Sequence, residues 1–494
     1  MVYPSFEEAG RKAAGVDFVP VAMETFADME TPVSVFKRFK DTSPYCFLLD
    51  SVEGGEKWAR YSFIAKDPLL TIRVKDQTTV IQYRDGRVEN IRGNPYQIVQ
   101  DLMSNYKGAK VESMPRLSGG IVGFFGYDLI RSIENLPNPP KDDLDVPTCH
   151  FMLVDETIVF DHLQQKLVLI VNMPTKGDLR LNYDRTVERL KVMDQTIRES
   201  AAVQRIKDDD RETAPEKAQV QSNISKEDFC DLVAKAKEYI NNGDIFQIVL
   251  SQRFSMPALH DPLDVYRYLR VSNPSPYMYF LKFKDYCIVG SSPEMLVRCE
   301  NGIVETCPIA GTRKRGETEE ADRKLEEELL EDPKELAEHI MLVDLGRNDI
   351  GKVAKFGTVE VSDYMSVLRY SQVMHIGSTV RGEMREDKTS FDALMAVLPA
   401  GTLSGAPKIR AMEIIDELET TQRSIYGGAI GFIAFDGSLD CCIAIRTILF
   451  KDGMAYVQAG CGVVADSVPE REYEETENKA RAVIKALQEV GGII

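Results

Sequence analysis

The chain has 494 residues, more than one ordinary domain length, and 44% of them are apolar, the composition of a soluble globular protein. Its 78 acidic residues outnumber 60 basic ones, for a net charge of −18, and no basic stripe or aromatic-basic cluster offsets the excess. Nucleic acid is therefore excluded as a partner class, and an anionic ligand would need locally placed cations. The nine cysteines form no C-x-x-C pair and read as reduced, mostly buried thiols. The N-terminus lacks a charged-then-apolar signal, and no apolar run approaches the ~18 residues of a membrane span. A cytoplasmic protein with no membrane association is expected.

Residues 1–205 alternate short β-rich runs with turns, from YCFLLDS and RYSFIAK through GGIVGFFGYDLIR to KLVLIVN, with helices near 97–105 and 183–199. Residues 206–222, within a polar stretch that includes DDDRETAPEKAQVQSN, are expected to form a linker or loop. Residues 223–494 open with a helix from Ser225 to Asn241 and pass through Gly243-Asp244 into the strand IFQIVLSQRF. Helices and strands then alternate without a regular repeat, and strand pairs such as GFIAFDG–CCIAIRTILF argue against a doubly wound parallel sheet. The fold class expected is α+β: layered sheets with flanking helices, the N-terminal part packed on the C-terminal part.

Glu294, in VGSSPEMLVR, ends an apolar strand, so it is either an exposed strand end or a pocket acid with a raised pKa. Asp332-Pro333 opens a helix that places Glu335 and Glu338 three residues apart on one face. His375 lies in the β-like run SQVMHIGSTV, as a satisfied core histidine or a catalytic one. GTLSGAPK, residues 401–408, is a glycine turn with hydroxyls but without the phosphate-loop spacing. Arg446 sits inside the apolar run CCIAIRTILF, and a buried cation calls for an anion. Gly460-Cys461-Gly462 follows the strand MAYVQA. The spacing fits a dinucleotide fingerprint, but no helix opens there, which leaves a tight turn or a close approach to a ligand.

The last helix is announced by Ser467 and Glu470 as a capping box, with Pro469 in its first turn. It sets Glu472, Glu475 and Lys479 on one face and Ala480, Val483, Ile484 and Leu487 on the other. The two E-x-x-E faces suit a hard divalent cation such as magnesium if they converge. As two solvated helix faces of an acidic protein they need no metal.

The ordered motifs LLDS, GFFGYD, DIFQIVLSQRF, NPSPYMYFL, SSPE, PIAGTRKRG, AEHIMLVDLGRND, SQVMH, GTLSGAPK, YGGAIG, AIRT and QAGCGVVADSVPEREYEET resemble the chorismate-utilising enzymes, and among them those that make anthranilate. The resemblance runs over nearly the whole chain. It implies magnesium held by Glu338 and Glu475, with Glu335 and Glu472 close by. Chorismate would be held by Tyr426, Arg446, the amides of Gly460, Cys461 and Gly462, Gly311-Thr312 and Lys479. It also implies Glu294 as general acid, with His375, Gln247 and Thr402 around the reacting atoms.

Gln247 stands where water-adding relatives carry a lysine base, and Ala310 where aminodeoxychorismate enzymes often carry a lysine, so both positions favour ammonia addition leading to anthranilate. Ammonia is implied to come from a separate glutamine amidotransferase subunit, which contacts the N-terminal domain. Tryptophan is the implied inhibitor, in a pocket formed by Leu49-Asp50-Ser51 and Pro276-Tyr277-Met278. Asp50 replaces the family's usual glutamate there.

Overall fold

A computed structural model describes residues 2–51, 60–203, 218–370 and 373–490. Two large antiparallel sheets, of 13 and 12 strands, form the centre of the molecule. Period-2 alternation assigns each strand's side chains to two different cores. Phe47, Leu281 and Ile288 of the first sheet meet Phe124, Met152 and Ile430 of the second in the core between them. The neighbours Leu48 and Phe280 point outward instead, under the helices that carry Phe36, Tyr266 and Val483. Phe125 and Val297 point out of the second sheet toward Val343, Ile350 and Leu394. The order is helix, sheet, sheet, helix, as the α+β expectation required.

Neither sheet belongs to one half of the chain. In the first sheet Cys46–Asp50 pairs with Tyr277–Phe283, Asp50 opposite Met278. In the second, Gly120–Phe125 pairs with Ala429–Ala434, Phe125 opposite Ala429. The residues before 205 and after 222 are thus joined by strand pairing as well as by side-chain packing. Of the linker expected at 206–222, residues 206–217 lie outside the described residues, and Gln221–Ser222 pair as a short strand with Phe254–Ser255.

Two crossovers carry the chain from one sheet to the other. Tyr286–Ser292 lies in the first sheet and Met295–Glu300 in the second; Leu439–Ile443 lies in the second and Thr447–Lys451 in the first. They run side by side. The Ile443 N–H donates to Glu294 O at 3.0 Å, Ser292 Oγ donates to Ile443 O at 2.7 Å, and the Ser291 N–H donates to Arg446 O at 3.2 Å. Arg446 is therefore not inside a buried strand, as the apolar run suggested. It occupies the crossover in a left-handed conformation with φ 49°, which turns its side chain out of the sheet pattern.

Two further expectations change. Gly460-Cys461-Gly462 is not a turn but the end of the strand Met454–Val463, paired with Val249–Ser251. Here glycine serves close approach: a Cβ on Gly460 would stand 2.7 Å from Leu250 O and from the Tyr426 hydroxyl, and one on Gly462 2.7 Å from Gln247 Nε2. Ser467 does not cap the last helix. That helix spans Pro469–Glu489 with Val468 before it and no side-chain cap, and Ser467 Oγ instead accepts from the Val464 N–H at 3.0 Å.

Candidate active site

The cleft is built where the crossovers meet the glycine-containing strand and the two acidic helices. Glu294 is buried, and burial pushes its carboxyl up to about 7, against the opposing pull of the Thr402 hydrogen bond and the Lys479 and Arg446 cations. Thr402, in the short turn Gly401–Leu403, donates from Oγ1 to Glu294 Oε1 at 3.1 Å. Such a carboxyl is about half protonated at neutral pH and increasingly so below it, and can give up a proton there.

Arg446 makes no ion pair among the described residues. Burial lowers its pKa, partly offset by Tyr370 and Glu294, and a desolvated guanidinium in a cleft is a receptor for an anion. Beside it the pairing of Met454–Val463 with Thr447–Lys451 ends at Val457 opposite Ile448. Beyond that point the strand is paired only on its other side, which leaves backbone groups of the Gly460–Gly462 stretch facing the cleft. The Cys461 thiol is buried beside Phe229 and Ile414 and against the Glu472 carboxylate.

His375 lies in the strand Val373–Glu383 and is buried. Its Nδ1 donates to Gly311 O at 2.7 Å and lies 3.1 Å from Thr312 Oγ1. Burial depresses its pKa to about 4, so the ring is neutral and, with Nδ1–H committed to a carbonyl, offers Nε2 as an acceptor. The Thr312 and Gly311 contacts tie this histidine to the irregular part of the strand Ile309–Lys314, where Gly311 takes φ 66°.

Glu335 and Glu338 come from the helix Pro333–Gly351, which Asp332 caps by accepting from the Lys334 and Glu335 N–H groups. Glu472 and Glu475 come from the last helix. The two faces do converge. Burial raises the Glu338 pKa, and repulsion from Glu335 and Glu475 raises it further, while the Gln247 amide, donating to Glu338 Oε1 at 3.2 Å, lowers it. Glu472 Oε2 is buried without a hydrogen-bond partner among the described residues. Lys479 partly compensates, reaching Glu475 at 2.7 Å and Gly460 O at 3.1 Å, and Arg313 stands 3.4 Å from Glu335.

Mutually repelling carboxylates and an orphaned carboxylate oxygen are the donor set of a hard cation, so these residues fit magnesium. Among the described residues no three His, Cys, Asp or Glu groups close into a cage.

A second pocket opens at the seam between the chain's halves. Leu49, Asp50, Ser51, Pro276, Tyr277 and Met278, the six residues expected at an effector site, all line it. Ser51 Oγ is buried there without a partner among the described residues. The Asp50 carboxylate, however, is already engaged. Arg270 Nε donates to it at 2.8 Å, the Tyr266 hydroxyl at 3.2 Å and Ser62 Oγ at 2.6 Å, so it is not a free anion waiting for an ammonium group.

The pocket's other charges went unread in the sequence. Asp440 accepts from Tyr277 OH at 2.9 Å, from Arg116 at 3.1 Å and from Arg298 at 3.1 Å. Asp440 and Arg298 sit next to apolar runs, the same signal that singled out Arg446.

The model of the chorismate binding enzyme family matches residues 45–485. The chain belongs to that family. It is 58% identical over its whole length, and that of its relative, to anthranilate synthase component 1 of Acetivibrio thermocellus. It is 44% identical to the protein of the same name from Aquifex aeolicus, over 98% of this chain and 97% of that one. Among solved structures, anthranilate synthase component I of Streptococcus pneumoniae superposes with a TM-score of 0.76 at 38% identity, covering 93% of this chain and 99% of that one. The menaquinone-specific isochorismate synthase of Escherichia coli shares the fold, with a TM-score of 0.68 at 16% identity over 98% of both chains. The chorismate-utilising architecture is thus common to this chain and to both.

Proposed function

We propose that this chain is the chorismate-converting component of an anthranilate synthase. It adds ammonia to the ring of chorismate with loss of the 4-hydroxyl, then eliminates pyruvate to leave anthranilate, the first step of tryptophan biosynthesis. The observation that carries this reading is the convergence in one cleft of Glu294, whose carboxyl burial lifts to about 7, of Arg446, which makes no ion pair among the described residues, and of a neutral His375, in a chain so similar end to end to named anthranilate synthase components.

Arg446, Tyr426 and the backbone of Gly460, Cys461 and Gly462 hold the enolpyruvyl side of the substrate, with Gly311, Thr312 and Lys479 completing the pocket. Glu294, held by Thr402, gives its proton to the departing hydroxyl, since hydroxide is a poor leaving group. His375 faces the departing groups as a neutral acceptor. Gln247 is no base, and ammonia needs none. Glu338 and Glu475 would hold magnesium, with Glu335 and Glu472 beside them; bound there, the ion supplies Lewis-acid charge and a template for the ring carboxylate.

Its relatives are named as component 1 of anthranilate synthase, and a glutamine amidotransferase subunit is proposed as the ammonia source. The region 1–205 would carry that contact and one wall of the regulatory pocket, and 223–494 the other wall and the catalytic residues. Tryptophan is the proposed occupant of the seam pocket, with its ammonium group meeting an acceptor other than the committed Asp50, and the protein is placed in the cytoplasm.

The test is incubation with chorismate, magnesium and an ammonium salt. Growth of anthranilate fluorescence is expected. A product that retains the enolpyruvyl group by mass would assign the chain to aminodeoxychorismate synthesis. Untouched chorismate with well-folded protein would make it a non-catalytic binder of aromatic amino acids.

A further inference from the structure

Arg423 lies between the helix Lys408–Leu418 and the strand Ala429–Ala434, and both it and Glu419 are buried. The guanidinium grips Glu419 in a fork, Nε to Oε2 at 2.8 Å and Nη2 to Oε1 at 2.6 Å. Its remaining donors reach two backbone carbonyls, Leu403 O and Val249 O, each at 2.6 Å. Its plane lies 4.8 Å from the Tyr127 ring centre and 5.8 Å from that of Tyr426. Glu419 Oε1 also accepts from Ser251 N and Oγ, both at 2.8 Å.

Those contacts fall on the backbone of the cleft. Leu403 follows Thr402, the residue bonded to Glu294. Val249 stands two residues after Gln247 and pairs with Gly462. Tyr426 donates its N–H to Arg423 O at 3.0 Å. Nor is a buried ion pair a good device for stability alone, because a well-packed apolar pair of similar volume is often as stable or more so. Arginine alone brings five donors in a fixed planar fork. That fork sets the spacing of two carbonyls from different elements and of one aromatic ring.

We infer that Arg423, fixed by Glu419, is a positioning residue for the reaction. It holds the Thr402 turn, the Gln247 strand and Tyr426 in one register, and so holds Glu294 where the leaving hydroxyl must be protonated. The inference rests on the proposed role of the cleft.

The test uses the purified full chain with Arg423→Met and Glu419→Gln combined. This removes both charges at similar volume and leaves an acceptor for Ser251. The double variant is expected to melt close to the parent, to lose kcat on the order of 10²-fold through misplacement of the acid, and to change less in KM.

Glu294 faces Lys479, Arg446 and Cys307 as its charged or titratable neighbours, and none of them is altered. With Thr402 loosened, the Glu294 carboxyl titrates at higher pH, so the upper limb of the rate profile moves up. The same shift is read without turnover from the carboxyl carbon-13 resonance of Glu294, assigned by its loss in Glu294→Gln. This second readout separates the positioning claim from the reaction claim: an inactive parent would overturn the latter while the resonance still judges the former. Should the double variant fail to fold, Arg423→Lys keeps the charge and drops the carbonyl contacts, with the same shift expected at smaller size. Parental kcat together with a parental Glu294 titration, in either folded variant, overturns the inference.

Discussion

Glu294 and Arg446 face the same cleft with opposite electrostatic problems. The carboxyl is buried and becomes easier to keep neutral; the guanidinium is desolvated and makes no ion pair among the described residues. Both were legible in the sequence, because a charged residue against an apolar run demands a reason. What the run could not convey was that Arg446 sits in a left-handed crossover, since backbone φ leaves no trace in hydropathy. The proposed acid role makes a signed prediction. Only the protonated form of Glu294 can donate, so kcat is expected to fall as pH rises through about 7, the value to which burial lifts this carboxyl. Replacing Glu294 with Gln should lower kcat by about 10²- to 10⁴-fold and remove that limb. A Gln variant with parental kcat, or a parent whose rate rises through pH 7, would show that the proton comes from elsewhere.

At the scale of elements, the two acidic helices were readable where their ends carry signals. Asp332-Pro333 starts one as expected, with Asp332 accepting from two first-turn N–H groups. The other starts at Pro469, but its serine turned inward to Val464, because the tight chain entry beside the strand end took the hydroxyl first. The glycine strand was misread as a turn for a plain reason. Glycine's commonest use is φ freedom, and only the fold shows that Tyr426 and Gln247 press on Gly460 and Gly462.

The convergence of the helices can be tested without turnover. Glu338 is raised by burial and by repulsion from Glu335 and Glu475, so Glu338→Gln relieves a strain that a bound cation would otherwise relieve. The metal-free variant is expected to melt at or above the parent. Magnesium at roughly a hundred times its dissociation constant should raise the parent's melting temperature by about 2–3 °C and leave the variant unmoved. Equal magnesium stabilisation of both would remove Glu338 from the ligand set.

Across the whole molecule, the order of strands was the part the sequence withheld. Period-2 alternation says which side chains are buried, but not which strand lies alongside, and Asp50 finds Met278 and Phe125 finds Ala429 only through the assembled sheets. Those long-range pairings place the pocket proposed for the effector on the seam. One wall comes from Leu49, Asp50 and Ser51 and the other from Pro276, Tyr277 and Met278. The second wall is also one strand from the cleft, for Tyr277 pairs with Ser292 and Met278 with Ser291. Ser292 accepts from the Glu294 N–H at 3.4 Å, and the Ser291 N–H bonds Arg446 O.

A ligand wedged between the walls therefore bears on the crossovers by a path a few residues long, and a change in seam geometry can reach the acid and the guanidinium together. Ser51 is the point at which to break this link, because its hydroxyl is buried without a partner and its side chain borders the pocket rather than the cleft. Ser51→Phe fills the pocket with a ring while the Arg270–Asp50 pair behind it stays closed. Turnover without effector should be unchanged, and tryptophan should no longer inhibit at concentrations that silence the parent. Tryptophan inhibition that survives the substitution, in a protein with parental kcat and KM, would mean that the seam pocket is not where the effector acts.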